Sequence, residues 1–229
     1  MYEAVLLDVY GTLVRDDGEW AAAIAGHVAG LASVPAAQVA REWDTRIWAL
    51  ADGAHGAGFR TLHDLNVASL AATLEHFGVC GDAERWCRRQ DEAVLFDDSA
   101  AFLAGLDVPV CLVSDADTVS LHTVLRGLGV RADHVVTSED VRAYKPRPEP
   151  FERALRVLGV PASAVVHVGD SPVADIAGAG ALGIDTVFVD RRGRGLPAGL
   201  RATCVVSTLT QAGEAIGANE ANRVRRSSP

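Results

Sequence analysis

An apolar run of strand length opens the chain: Glu3-Ala4-Val5-Leu6-Leu7 leads to Asp8, and Val9-Tyr10-Gly11-Thr12-Leu13 follows. Near-continuous apolarity of this kind marks a parallel strand buried on both faces, and ligands in open α/β sheets bind outside the carboxyl ends of such strands. Asp8 is therefore predicted at a site, with Tyr10 along the same face while the extended geometry lasts.

After Val14 the pattern turns helical and stays so to about Phe96. Trp20, Ile24, Val28 and Leu31 predict one apolar helical face, with Asp17 as its candidate cap. A second helix is predicted from near Pro35, through Trp43, Ile47 and Leu50, to Gly53. A third carries Leu70, Leu74 and Phe77 and ends at Gly78, and a more polar fourth covers about Asp82 to Ala93. Trp20, Trp43 and Trp48 are expected in the core of this module, with substrate-facing walls as their second reading.

From Asp98 strands and helices alternate, the pattern of a parallel sheet wrapped by helices. Val108 to Val113, His134 to Val136, Ala164 to Val168, Asp185 to Val189 and Cys204 to Val206 are the predicted strands. Leu121, Val124, Leu125 and Leu128 predict one helix, and Phe151, Leu155 and Leu158, after Pro146, Pro148 and Pro150, predict another. Gly178, Gly180 and Gly183 read as a close-packing stretch of helix. The expected fold is α/β: a doubly wound, Rossmann-like parallel sheet core over residues 1–14 and 97–216, with an inserted α-helical cap over 15–96 and a disordered tail over 217–229. Two links near Val14 and Phe96 would permit hinge closure over a site.

Composition narrows the function classes. A formal charge of -9 argues against a nucleic-acid binder, because phosphate contacts need clustered Lys and Arg, and the basic cluster here is Arg223, Arg225 and Arg226 in the tail. Cys80, Cys87, Cys111 and Cys204 form no CxxC pair, so neither a zinc site nor a disulfide framework is indicated. No run reaches membrane-spanning length and no leader precedes the first strand, so a cytoplasmic address is expected, and a monomer or homodimer is the expected assembly. Lys145 is the only lysine; every other cationic side chain is arginine. Its retention in an arginine-biased chain suggests a point charge that a planar guanidinium could not replace.

Several strands end in polar groups: Asp8, then Ser114-Asp115, then Gly169-Asp170 with Asp175. Parallel strands bring those ends to one edge. Asp8, Asp170 and Asp175 together repel one another unless a cation neutralises them, and an all-oxygen set suits Mg2+. Thr12 and Ser114 offer hydroxyls to an anionic small-molecule substrate, and Lys145 offers a charge. Singly, each Asp also reads as a cap or turn former. His167 inside its strand reads as a packed residue, and His27, His63 and His76 as surface or core residues of the cap.

Asp8-Val9-Tyr10-Gly11-Thr12, Leu112-Val113-Ser114-Asp115, Tyr144-Lys145-Pro146 and Gly169-Asp170-Ser171-Pro172-Val173-Ala174-Asp175 resemble, in order, the four motifs of the haloacid dehalogenase superfamily of hydrolases. The resemblance runs from about Met1 to Val206, and the helical insertion resembles that superfamily's cap. It implies Asp8 as a nucleophile forming a covalent aspartyl intermediate, Thr12, Ser114 and Asp115 around the substrate, and Lys145 stabilising the nucleophile. It also implies magnesium held by Asp8, Asp170 and the Tyr10 carbonyl, with Asp175 a direct or indirect ligand.

The departures define the alternatives. Phosphatases of the superfamily usually carry a second Asp, an acid and base, where this chain has Tyr10; Asp115, a cap residue or water are the candidate stand-ins. Tyr at that position resembles the 2-haloacid dehalogenase branch, whose halide leaves without a proton. Yet this chain has Trp43-Asp44 where that branch shows a Trp-Arg pair, Phe151 where it shows a Tyr, and Asp170 with Asp175 where it shows a Ser/Asn set. A magnesium-dependent phosphatase is the first expectation, a metal-independent dehalogenase-like hydrolase the second, and a weakened ligand-binding or regulatory relative the third.

Overall fold

The computed structural model of the protein describes residues 2–15, 18–88 and 93–217. Six parallel strands form one sheet: β1 (Ala4–Leu7), β2 (Val110–Ser114), β3 (His134–Thr137), β4 (Val165–Gly169), β5 (Asp185–Val189) and β6 (Cys204–Val206). Their order is β3-β2-β1-β4-β5-β6, so the chain winds outward one way from β1 and returns to its other side with β4. The switch point of this doubly wound sheet lies between β1 and β4. Leu7 pairs with Leu112 on one side and Val168 on the other, which places the ends of all three central strands at one level.

Alternation along each strand feeds two cores. Val5, Leu7, Val110, Leu112, Val166, Val168, Val187 and Val189 enter one, where Leu121 and Leu125 of the helix Thr118–Gly127 cover them. Ala4, Leu6, Cys111, Val113 and Val165 enter the other, under Phe151 and Ala154 of the helix Pro148–Leu158. The period-2 geometry explains the split, and burial on both faces explains the unbroken apolar reading of β1. Residues 209–216, which the sequence pattern left unassigned, are helical and add Leu209, Ala212 and Ile216 to the first core, and Gly217, expected to open the disordered tail, belongs to the same helix. Gly178 packs as read: a Cβ there would stand 2.8 Å from Phe151 Cε2 and 3.0 Å from Pro146 Cα.

The chain divides into two compact units, the sheet unit (Met1–Arg15, Ala93–Val141, Lys145–Pro229) and a helical unit (Asp16–Glu92, Arg142–Tyr144). The chain leaves and re-enters the sheet unit through paired segments. Val14 bridges Leu95 in antiparallel fashion, the Arg15 amide donates to the Val94 carbonyl at 2.8 Å, and the Phe96 amide to the Leu13 carbonyl at 3.0 Å. The excursion Arg142–Tyr144 is a further crossing that the linear pattern does not reveal. Within the helical unit Tyr144 stacks on Phe59 and donates its hydroxyl to the Arg60 carbonyl at 2.8 Å.

The helical unit is built from Glu19–Ala32, Ala36–Gly53, Leu62–His76 and the short Ala83–Trp86. Trp43 is buried, its indole N–H donates to Ser69 Oγ at 2.9 Å, and Trp20 packs on its ring. Three expected core positions are instead exposed. The inward stripe of the second helix follows Val39, Trp43, Ile47 and Ala51, so Trp48, about 100° further round than Ile47, faces out. There it donates to Asp44 Oδ1 at 3.0 Å. Leu50, in the same helix, is also exposed. In the first helix Ala25, Val28 and Ala29 are buried, and Leu31, about 200° round from Ala29, is exposed.

The fourth helix is shorter than expected. Asp82 Oδ1 accepts the Arg85 amide at 3.0 Å to cap it, but it ends at Trp86, beyond which Arg88 to Glu92 supply no apolar side chain to bury. The proposed Asp17 cap and residues 218–229 of the expected tail fall outside the described residues; Gly18 occupies the capping position of the first helix. No single helix among the described residues is long and apolar enough to cross a membrane.

Candidate active site

Every candidate site residue named from the sequence belongs to the sheet unit. Asp8 follows β1, its amide donating to the Val168 carbonyl at 2.9 Å. Asp170 follows β4, the strand on the other side of the switch point, while Ser114 ends β2 and Asp115 follows it. Residues 9–14 then close a tight turn: the Leu13 and Val14 amides donate to the Val9 carbonyl, and Gly11 takes a left-handed φ of 88°. A Cβ on Gly11 would also overlap the Asp170 carboxylate, so glycine is required there twice over. Gly169 has the same steric role towards Asp175.

Lys145 is the hub. Its ammonium donates to Asp8 Oδ1 at 2.7 Å, to Asp175 Oδ1 at 2.6 Å and to the Val113 carbonyl at 3.3 Å, using all three donors of a group that is 5% exposed. Burial would strip its charge, but the Asp175 and then the Asp8 carboxylates outweigh that and drive its pKa upward. Lys145 is therefore a fixed cation. Its backbone amide donates to Asp115 Oδ1 at 2.9 Å, tying the loop before Pro146 to the end of β2.

Asp175 is saturated. Oδ1 takes Lys145 and His167 Nε2, the latter at 3.0 Å, and Oδ2 takes the Ser171 amide at 2.9 Å. Burial acts to raise its pKa, and Lys145 and the His167 hydrogen bond overcome that and lower it. His167 packs edge-on against Phe151 and is fully buried, as a strand residue should be, but it also orients Asp175. Because a carboxylate can only accept, Nε2 carries the proton. The sequence reading gave His167 no part in the site. The available signal was a polar ring inside an otherwise apolar strand, which demands a partner.

Asp8 differs. Burial raises its pKa against the pull of Lys145, and its Oδ2 is buried without a hydrogen-bond partner among the described residues. The fully buried Thr12 Oγ1 is also without one. Ser114 is buried, and Tyr10 is half-buried and packs against the first core. Burial pushes the Asp115 carboxyl up to about 7. Asp8, Asp170 and Asp175 each offer an oxygen, and these lie within 4.8 Å of one another. An acidic cluster that holds one cation and keeps the Asp8 Oδ2 acceptor open can take a further cation, and Asp8 can act as an oxygen nucleophile.

A family model described as haloacid dehalogenase-like hydrolase matches residues 2–183. The chain belongs to the haloacid dehalogenase-like hydrolases. Haloacid dehalogenase-like hydrolase domain-containing protein 3 of Danio rerio is 34% identical over 158 residues, 67% of this chain and 62% of that protein, so the chain spans less than two thirds of this relative. A ribulose-1,5-bisphosphate 5-phosphatase of Halopiger xanaduensis is 36% identical over 115 residues, 48% of each chain. A crystal structure of an L-2-haloacid dehalogenase superposes with a TM-score of 0.79 over 94% of this chain and 99% of its own, at 20% identity, a likeness of fold alone. The sequence relatives of the hydrolase thus include a phosphatase, and the doubly wound sheet expected from the sequence is the fold shared with the dehalogenase structure.

Proposed function

We propose that this haloacid dehalogenase-like hydrolase cleaves phosphate monoesters of small metabolites through a covalent intermediate on Asp8, with magnesium as its cofactor and an intracellular, aqueous setting as its place of work. The observation that carries this reading is the set of three carboxylates, Asp8, Asp170 and Asp175, around the single cation Lys145. That set remains negative. The residues fit a hard divalent ion: Asp8 Oδ2 is a buried acceptor without a partner, and Asp170 stands half-buried against Gly11. Asp175, with both oxygens engaged, would serve behind them, so Asp8, Asp170 and the Tyr10 carbonyl are the proposed ligands.

When bound, magnesium supplies positive charge beside the phosphoryl oxygens and neutralises charge that develops on them. Thr12 and Ser114 bind the remaining oxygens. An Asp8 oxygen forms the new bond to phosphorus as the bond to the ester oxygen breaks, with the Lys145 ammonium against the same carboxylate to hold it in place. The leaving oxygen needs a proton that the Tyr10 position does not furnish in the usual way. Asp115, neutral below about pH 7, is the proposed donor, and as a carboxylate it then takes a proton from the water that hydrolyses the intermediate.

Incubation with a panel of phosphate esters, with and without magnesium, tests this. Phosphate release that requires magnesium and disappears in Asp8→Asn is expected; release no greater than in that variant sinks the reading. Tyr10 favours a second reading, dehalogenation, because a halide leaves unprotonated. Metal-independent halide release from a 2-haloacid would establish it in place of the first.

A further inference from the structure

Arg191 follows β5. Its guanidinium donates from Nη1 to Asp98 Oδ2 at 3.2 Å and from Nη2 to Asp98 Oδ1 at 2.9 Å, a forked pair. The same Nη2 donates to the Thr12 carbonyl at 2.9 Å. The plane rests on Phe96, with the guanidinium carbon 3.8 Å from the ring centroid. Asp98 is itself held: its Oδ2 accepts the Leu209 amide at 2.7 Å, and both side chains of the pair are only 15% exposed. Burial works against the Asp98 charge, but the Arg191 hydrogen bonds and then the Leu209 amide keep its pKa below the ordinary range.

The next carbonyl along the turn is also fixed, because Leu13 O accepts Ser99 Oγ at 2.7 Å and the Phe96 amide at 3.0 Å. Two consecutive carbonyls of the turn are thus clamped by the segment 96–99 and Arg191. Thr12 Oγ1 is on the same residue as the clamped carbonyl, fully buried and without a partner among the described residues. A buried hydroxyl left in that state is costly unless a ligand uses it, and its direction follows from the backbone that carries it. Only a planar fork serves Asp98 and a carbonyl at once while stacked on a ring; an ammonium at that position would give up part of the set.

We infer that Arg191, seated on Asp98 and Phe96, is a positioning residue that aims the Thr12 hydroxyl at the anionic group of the substrate. The inference rests on the phosphate-ester reading above for the identity of that group. Arg191→Lys is expected to raise both the inhibition constant of inorganic phosphate and the KM for a hydrolysed ester about tenfold, with kcat within about threefold. In a Thr12→Ala background the same change should add less than about twofold, because the group being aimed is gone. Unchanged phosphate inhibition, or effects of the two substitutions that simply multiply, would overturn the inference.

Amide hydrogen exchange over residues 9–14 judges the clamp independently of activity: faster exchange in Arg191→Lys upholds it and unchanged exchange refutes it. If the wild-type protein neither hydrolyses phosphate esters nor binds inorganic phosphate, the proposed function falls, while the exchange result still decides the clamp. Asp98→Asn, which keeps the acceptor shape and removes the charge, provides the same comparisons if Arg191→Lys does not fold.

Discussion

Asp8 and Asp175 share one cation yet live in opposite surroundings. Asp175 lies 1% exposed with every oxygen bonded, to Lys145, His167 and the Ser171 amide. Asp8, equally close to Lys145, keeps one oxygen buried and without a partner among the described residues. The environment drives the pKa of the first down and that of the second up. The contrast separates two jobs for one residue type: a carboxylate whose bonding is complete organises its neighbours, and one left incomplete next to a fixed charge is available for reaction.

The largest expected effect is on turnover. Asp8→Asn should cut hydrolysis by at least about 10³-fold while leaving urea stability equal or higher, since it removes a charge that burial disfavours. A stability loss would erase the contrast. Asp175→Asn should do the reverse in the folding assay, losing about 3 kcal/mol because Lys145 and His167 lose a shared partner. A urea midpoint matching the wild type would show that Asp175 is not structural.

Tyr10→Asp probes the proton that Asp8 chemistry needs. If acid catalysis limits the enzyme, steady-state turnover of an unactivated phosphate ester should rise about tenfold or more. A flat or lower rate would mean that another group already supplies it. The smallest effect concerns pH. The Asp115 pKa of about 7 lies above its unfolded value, so the folded protein binds the extra proton between about pH 4 and 7, and that stabilisation is lost as pH rises through 7. Asp115→Asn keeps an acceptor for the Lys145 amide. Its stability relative to wild type should therefore improve by about 1 to 3 kcal/mol between about pH 5 and 8, as read from urea melts.

Much of the fold was legible because burial on two faces writes itself into a strand as continuous apolarity. β1, β2 and β4 fall where that signal fell; β1 and β4 lead directly to Asp8 and Asp170 of the carboxylate cluster, and β2 to Ser114 and Asp115 beside Lys145. Lys145 stood out because it has no duplicates. What linear pattern could not carry is rotation and partnership. Trp48 and Leu31 sit at helical spacing from buried neighbours yet lie off the stripe that the packing selects. Arg142–Tyr144 carries no periodicity that would assign it to the helical unit. His167 offered a weak signal, a polar ring in an apolar strand, and Arg191 offered none among so many arginines, since its meaning lies in Asp98, Phe96 and the Thr12 carbonyl, far away in sequence.

The solitary lysine has a chemical consequence beyond the site. Its amine is buried among carboxylates that hold it protonated, so the native molecule presents no reactive ε-amino group to an acylating reagent. Opening of the sheet edge around Asp8 would expose the only such amine in the sequence. Acylation at Lys145 therefore acts as a built-in clock for that one opening event, reporting how often the centre of this fold comes apart from a residue already in the chain.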